Sequence, residues 1–319
     1  MVPPQVVAHL ASAADAAIGP ILRAGGVPGQ GVPNNEIDFV AAAVLGGVPA
    51  VASAWQPILA QHGIQLSITG VFCHGSPMVE FTDAANSVRR CELGDLLIVV
   101  DEITGRVISD RRAVLVQAKM ASSSGAVAIQ GTARVQLELY RTWPIFRFIP
   151  AQYAPKLRDF HACAFSGKTV DDGRYGVIDK HGKPPDWYQV APGSSPMSTA
   201  GTPLLGSYMA KMSEPPPPSA GRNAIAGGAD DWSFTLDELL SITAARTFGL
   251  VTVGGRRFAR GRTALTSIHP LHGDTSADFG WMIIAGDPPS GSGETRPPSE
   301  APREGISTIR IVLSHSGRD

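Results

Sequence analysis

The chain has 319 residues, 43% of them hydrophobic, enough to bury one large core or two of ordinary size. Charged residues make up only 17% and the formal net charge is −1, which excludes a globally basic nucleic-acid-binding surface and leaves a local one open. Three cysteines (Cys73, Cys91, Cys163) without CxxC spacing argue against a disulfide framework or a cysteine zinc site and point to reduced thiols in the cytoplasm.

The N-terminus lacks the basic and apolar regions of a signal peptide, and no apolar run in the sequence approaches the length of a membrane span. We therefore expect a soluble, intracellular protein. Val6, Leu10, Ala14, Ile18 and Leu22 recur at helical spacing and predict a helix over 5–22, between Pro3-Pro4 and Gly25-Gly26. GGVPGQGVP predicts a loop. Asn34 or Asn35 is placed to cap a second helix carrying Glu36, Phe39, Val40, Ala43 and Val44, with Gly46-Gly47 as its stop, and a third follows over 51–62.

Strands come next. Residues 65–73 alternate, 78–81 predict a short strand, and 96–100 form the near-continuous apolar run of a strand buried on both faces. Thr104-Gly105 predicts a turn before a second buried strand at 113–117. After a loop at 122–125, where Ser124 is placed to cap, Ile129, Ala133, Leu137 and Tyr140 make a helical stripe over 127–140. Trp143-Pro144 ends it, and 145–149 predicts the next strand. The order is helix, three strands, helix, strand.

Beyond Pro150 the pattern weakens, so we expect a core at 1–150 followed by a less regular C-terminal half at 151–319. Residues 171–192 are polar and turn-rich, with two short strands. Residues 212–228 contain four consecutive prolines, Pro215 to Pro218, and predict a linker or exposed loop. Thr235 as N-cap, Glu238 at the capping-box position and Gly249 as the stop predict a helix over 235–248, with a strand at 250–253. Residues 287–303, rich in Pro, Gly, Ser and Glu, are expected to be disordered, and 306–314 alternate as a last strand.

The polar residues that interrupt these apolar runs carry the chemistry. Residues two apart on a strand share a face, so Gln117 and Lys119 point together, and pairing of the two buried strands sets Asp95 beside them. A carboxylate, an amide oxygen and an ammonium on one face can hold a hydrated Mg2+, which favours a few oxygen ligands completed by water and phosphate. The metal neutralises phosphate charge and acidifies bound water, while the lysine orients the nucleophile or offsets developing charge.

The series Asp95, Gln117-x-Lys119, Gln136-x-x-x-Tyr140 resembles the PD-(D/E)xK nuclease superfamily, and within it the RecB-like nucleases, whose D…(D/E)xK…QxxxY signature ends on a helix. The resemblance covers residues 36–149, just over a third of the chain. It implies an α/β fold with a restriction-endonuclease-like core of helix, three-strand meander, helix and strand. It implies Asp95, Gln117 and Glu36, the last from the preceding helix, as ligands of Mg2+ or Mn2+, and Lys119 as the residue serving the attacking water. Gln136 and Tyr140 would lie over the site, bracing it or touching DNA. Two positions depart from the family pattern. Gly94 stands where proline is usual, and Gln117 replaces the expected acid, as in the QxK of Mrr-like restriction enzymes. Glu80 and Glu92 are the candidates to supply the missing carboxylate. The implied activity is metal-dependent hydrolysis of nucleic acid, DNA foremost, in the setting of defence against foreign DNA. Nucleic acid is the expected partner, with a homo-oligomer or a partner protein left open and no membrane.

Other constellations are weaker. Cys73 and His74 are adjacent on a strand and point to opposite faces, so they form no dyad. His269, His272 and Asp274 have metal-like spacing, but Pro270 and Gly273 between them favour a plain loop. Gly254-Gly255 leads into Arg256 and Arg257, which with Arg260 and Arg262 form a basic cluster able to grip phosphates. The glycine-rich loop at 25–31 has neither GxxxxGK[ST] nor a preceding strand, so it is no nucleotide cradle. Two rival readings stand beside the nuclease. One is the same core as an inactive nucleic-acid-binding or assembly module; the other is an unrelated hydrolase centred on residues 269–274.

Overall fold

A computed structural model describes residues 2–25, 31–73, 76–123, 125–127, 129–162, 171–182, 185–193, 197–215, 220–244, 251–253, 256–258, 265–268 and 305–315. The first half contains α1 (Pro4–Ala24), α2 (Glu36–Ala42), α3 (Val48–Ala60), β1 (Ile64–Phe72), β2 (Met78–Thr82), β3 (Val88–Glu92), β4 (Leu96–Thr104), β5 (Val107–Met120), α4 (Thr132–Thr142) and β6 (Phe146–Phe148). The second adds β7 (Gly173–Asp179), β8 (Asp186–Val190), α5 (Leu205–Lys211), β9 (Arg222–Asn223), α6 (Asp231–Ala244), β10 (Val251–Val253), β11 (Arg256–Phe258), β12 (Leu265–Ile268) and β13 (Ser307–His315). The fold is mixed α/β.

One mixed sheet runs β12-β1-β13-β4-β5-β7-β8, with β9 also paired to β5. β13 is parallel to β4 and β7 is parallel to β5; the remaining pairings are antiparallel. The apolar run Leu96 to Val100 explains why β4 lies inside. Leu96, Ile98 and Val100 join the core shared with α1, α3 and α5, while Leu97 and Val99 join the core under α4, α6 and the small β3-β2-β6 sheet. A strand with apolar side chains on both faces is stable only when both are covered.

Three helix boundaries differ from expectation. Asn35 caps α2, its side chain accepting from Asp38 N at 2.9 Å, but Gly46-Gly47 do not stop the helix. Ala43–Gly47 form a π-helical turn and the chain continues directly into α3. This part of the helix lies so close to β1 that a Cβ on Gly70 would stand 2.6 Å from the Val44 carbonyl oxygen. Compactness, rather than termination, is what small residues provide here. α4 starts at Thr132 because Val127 is held in a bridge to Met197, and Gly131 supplies a positive φ of 56° just before the helix. α6 starts at Asp231, so Thr235 lies inside it and donates its hydroxyl to the Asp231 carbonyl at 2.6 Å. Glu238 accepts from Ala154 N and from the fully buried Arg158 instead of closing a capping box.

Two larger corrections concern topology. The strand at 145–149 exists as β6, but it pairs with β2 in the small sheet. The strand that follows α4 in the main sheet is β7, from the stretch that reads as polar and turn-rich. Nor is there a structural boundary at 150. β7, β8, β9, β12 and β13 come from the second half and share a sheet with β1, β4 and β5, so the described strands beyond 150 complete the sheet of the first half. Also against expectation, α1 and the continuous helix Glu36–Ala60 are each long and apolar enough to cross a membrane by length and composition, but most of the second is buried within the fold. Cys73 and Cys91 are buried and in no disulfide among the described residues. Cys163, His74, Pro216 to Pro218, the loop 269–274 and the segment 287–303 lie outside the described residues.

β13 buries Ile309, Ile311 and Leu313 completely or nearly so. At about 1.5–3 kcal/mol for each buried aliphatic side chain, the three contribute about 5–9 kcal/mol. That equals the whole stability of many domains, about 5–15 kcal/mol. A fragment of residues 1–150, which lacks both β13 and β7, is therefore expected to show no cooperative thermal transition by circular dichroism, whereas the full chain melts cooperatively.

Candidate active site

The site is built at the end of the sheet where β4 begins and β5 finishes. Asp95 N donates to the Val116 carbonyl at 2.9 Å, extending the β4–β5 ladder by one residue and setting Asp95 beside Gln117. Gln117 is in turn paired with Tyr175 across the parallel β5–β7 ladder. Asp95, Gln117 and Tyr175 thus form a row across three neighbouring positions on the sheet face that carries α4. Asp95 Oδ2 accepts from Ala118 N at 2.8 Å and from Gln117 Nε2, and Oδ1 accepts from Ser76 Oγ at 3.4 Å.

α2 adds the next group. Its first residue, Glu36, accepts from Lys119 Nζ at 3.3 Å through Oε2 and from Met120 N at 3.2 Å through Oε1. The helix start and the strand end are therefore clamped by one carboxylate. Asp95, Gln117, Lys119 and Glu36, drawn from widely separated parts of the sequence, come together.

Their electrostatics fit one cluster. Asp95 keeps a partly exposed edge, yet the protein packed around it strips its carboxyl of water and pushes it up to about 7 from an ordinary 3.8. Burial is the chief cause. The Lys119 ammonium opposes it, and the Glu92 and Glu36 carboxylates reinforce it. The sign for stability follows. The folded state holds a proton on Asp95 between about pH 4 and 7 that the unfolded chain has released, so this group makes stability fall as pH rises through that window.

α4 supplies the support beneath. Tyr140 is buried and donates its hydroxyl to the Leu93 carbonyl at 2.8 Å, holding the turn that presents Asp95. This contact accounts for Gly94. A Cβ at that position would lie 2.7 Å from the Tyr140 hydroxyl and 3.4 Å from the Val116 carbonyl oxygen, so a side chain is sterically unwelcome. Gln136 is buried one turn earlier on α4. Tyr140 is thus a brace beneath the turn, with 3% of its surface exposed.

The remaining candidates fall elsewhere. Glu80 sits in the small sheet with its oxygens engaged by Arg90 at 2.7 Å and Arg147 at 2.5 Å, and these guanidinium bonds hold it below the usual carboxylate range. Glu92, at the end of β3, acts on Asp95 through its charge. Arg256 and Arg257 lie on β11, paired with β10, and their side chains are outside the described residues, as are Arg260 and Arg262. Sequence reasoning misses Ser76 and Tyr175. Ser76 has no spacing signal, and Tyr175 belongs to β7, whose flanking aspartates, arginine and glycines disguise a buried strand.

Among the described residues no group of three or more His, Cys, Asp or Glu side chains gathers as a metal cage. The donors present suit a sparser site. Among the described residues, Gln117 Oε1 is buried without a hydrogen-bond partner, and Asp95 Oδ1 has only the long bond from Ser76. A desolvated carboxylate beside an unsatisfied amide oxygen suits a hard cation that keeps its waters and takes few protein ligands. Comparison of the chain with family models, with curated proteins and with solved structures found no match.

Two outcomes are expected. Asp95→Asn removes the acid-side slope, gaining about 2 kcal/mol over the wild type at pH 8 relative to pH 5, as read by chemical denaturation at both pH values. Tyr140→Phe strands the Leu93 carbonyl and costs about 1–2 kcal/mol in the same measurement.

Proposed function

We propose that this chain is a metal-dependent nuclease of the PD-(D/E)xK type that hydrolyses phosphodiester bonds in nucleic acid, DNA foremost. The observation that carries the reading is the convergence of Asp95, Gln117, Lys119 and Glu36 at one end of the sheet. The elements α2, β1, β4, β5, α4 and β7 support it, since they follow as helix, three strands, helix and strand, with α3, β2, β3 and β6 between them in the chain and β13 inserted between β1 and β4 in the sheet. In this reading Asp95 and Gln117 hold Mg2+ or Mn2+, and Glu36 is close enough in charge to assist. When bound, the cation supplies neutralisation of phosphate charge and a more acidic water. Lys119 offers its ammonium to a water or phosphate oxygen, and Glu36 holds that ammonium in place until substrate competes for it. Asp95 provides the negative charge that a cation needs, and its burial strengthens that attraction. Ser76 and Ala118 N fix the carboxylate's orientation. Nucleic acid is the partner, approached through a local basic surface because the overall charge is near neutral.

The test compares cleavage of single- and double-stranded DNA and of RNA, with Mg2+ or Mn2+, by the wild type, Asp95→Ala and Lys119→Ala. Metal-dependent cutting that falls at least about 100-fold in both variants is expected. Salt-sensitive DNA binding without cutting by the wild type would establish the inactive binding module instead. Gln117→Glu sharpens the test. It sets a second carboxylate against Asp95, so it is expected to cost about 1–3 kcal/mol without metal and to bind Mn2+ more tightly than the wild type by titration calorimetry.

A further inference from the structure

Two polar groups of the site lack a partner among the described residues, and their residues are paired across one ladder. Gln117 and Tyr175 are paired residues on adjacent parallel strands, so their side chains leave the same face with backbones about 4.8 Å apart. Gln117 is 1% exposed and Tyr175 is fully buried. Gln117 Oε1 and Tyr175 Oη both go without a hydrogen bond. An unsatisfied polar group is costly in the interior, and two on paired residues point to a state in which both are used.

The Tyr175 ring is held in place. Tyr140 packs edge-on against it with ring centroids 5.7 Å apart, while the hydroxyl of Tyr140 is already committed to Leu93. Burial, with Cys91 and Asp95 nearby, holds the Tyr175 phenol well above its ordinary pKa, so its O–H stays intact as a donor.

We propose that Tyr175 is a positioning residue of the metal site, acting through the Gln117 amide. The inference rests on the reading of Asp95 and Gln117 as metal ligands. Without metal the amide gives Nε2 to Asp95 Oδ2 and turns Oε1 away. To ligate a cation beside Asp95, the amide turns half a revolution about its last torsion, which exchanges Oε1 and Nε2. The displaced Nε2 then needs an acceptor. A phenol hydroxyl both donates and accepts, so Tyr175 can serve either orientation, directly or through one water. Phenylalanine can serve neither.

The test is a double-mutant cycle on Mn2+ affinity in the full chain, with free Mn2+ counted from its electron paramagnetic resonance signal. Tyr175→Phe is expected to weaken Mn2+ binding about tenfold, the size seen when a group orienting a metal ligand is removed. It is expected to leave the metal-free Tm unchanged or higher, because an unpaired hydroxyl is lost. In a Gln117→Ala background the same change is expected to do nothing further. Equal Mn2+ affinity for wild type and Tyr175→Phe, or a tenfold loss that persists in Gln117→Ala, overturns the role of Tyr175 and leaves the metal site standing. Wild-type binding no tighter than that of Asp95→Ala overturns the metal site itself, and this inference with it.

Discussion

β13 bonds along both edges, antiparallel to β1 and parallel to β4, and the rest of the sheet depends on that double pairing. Its residues are separated from β1 and β4 by some two hundred positions in sequence, so closing the sheet costs loop entropy that only burial on both faces can offset. The alternating Ile309, Ile311 and Leu313 supply it on the face shared with α1 and α3, Ile306 joins the opposite core just before the strand, and Ser307 fastens the strand's start by bonding both N and O of Cys73 at 3.1 Å. With β13 in place, β4 becomes interior, and the turn before β4 is anchored to a strand held on both edges. Remote pairing of this kind slows folding, because the contacts that reward closure form last.

How much of this is legible in the sequence depends on what each signal measures. Hydrophobic periodicity reports burial, and it finds α1, β1, β4, β5 and β13 because their apolar residues recur at the period of the element. It fails where buried strands carry polar or small residues for other reasons. β7 holds Gly173 and Gly176 because the rings of Tyr140, Trp143 and Trp187 occupy the space of a Cβ, so its pattern reads as a short strand in a turn-rich stretch and not as a strand of the central sheet. Glycine at 46 and 47 reads as a helix stop although the chain continues through a π-helical turn into α3, since a local signal cannot tell a glycine that ends a helix from one inside it. Pairing partners are beyond local signals altogether. β6 is a strand as expected, but nothing in its sequence says that it joins β2.

The site is more legible than the topology, and the cause is geometric. Gln117 and Lys119 are fixed by the two-residue period of one strand, and Asp95 by its place at the start of the next, so their meeting needs only one hairpin. Glu36 needs the helix to be docked, and Tyr175 needs β7 to be recognised as a strand. The groups that assemble locally are the ones sequence spacing can find. Within the cluster the charges are balanced closely. Lys119 faces Glu36, while Asp95 has only amide and hydroxyl partners, so the carboxylate with the least compensation is also the one stripped most of water. Any cation entering the cluster meets its largest gain at Asp95.

The π-helical turn at Ala43–Gly47 fixes the angular phase between the two ends of the helix that starts at Glu36. An α-helix advances about 100° per residue, and a π-turn accommodates one residue more than an α-turn over the same rise. α3 is locked by Trp55, which donates to the Leu10 carbonyl at 2.8 Å, and by its packing on β1. The extra residue therefore sets the direction in which Glu36 leaves the axis. Shortening the turn to a regular α-turn would rotate Glu36 by about 100° away from Lys119 while leaving α3 in its seat. The helix thus works as a crank whose throw is set by a single residue.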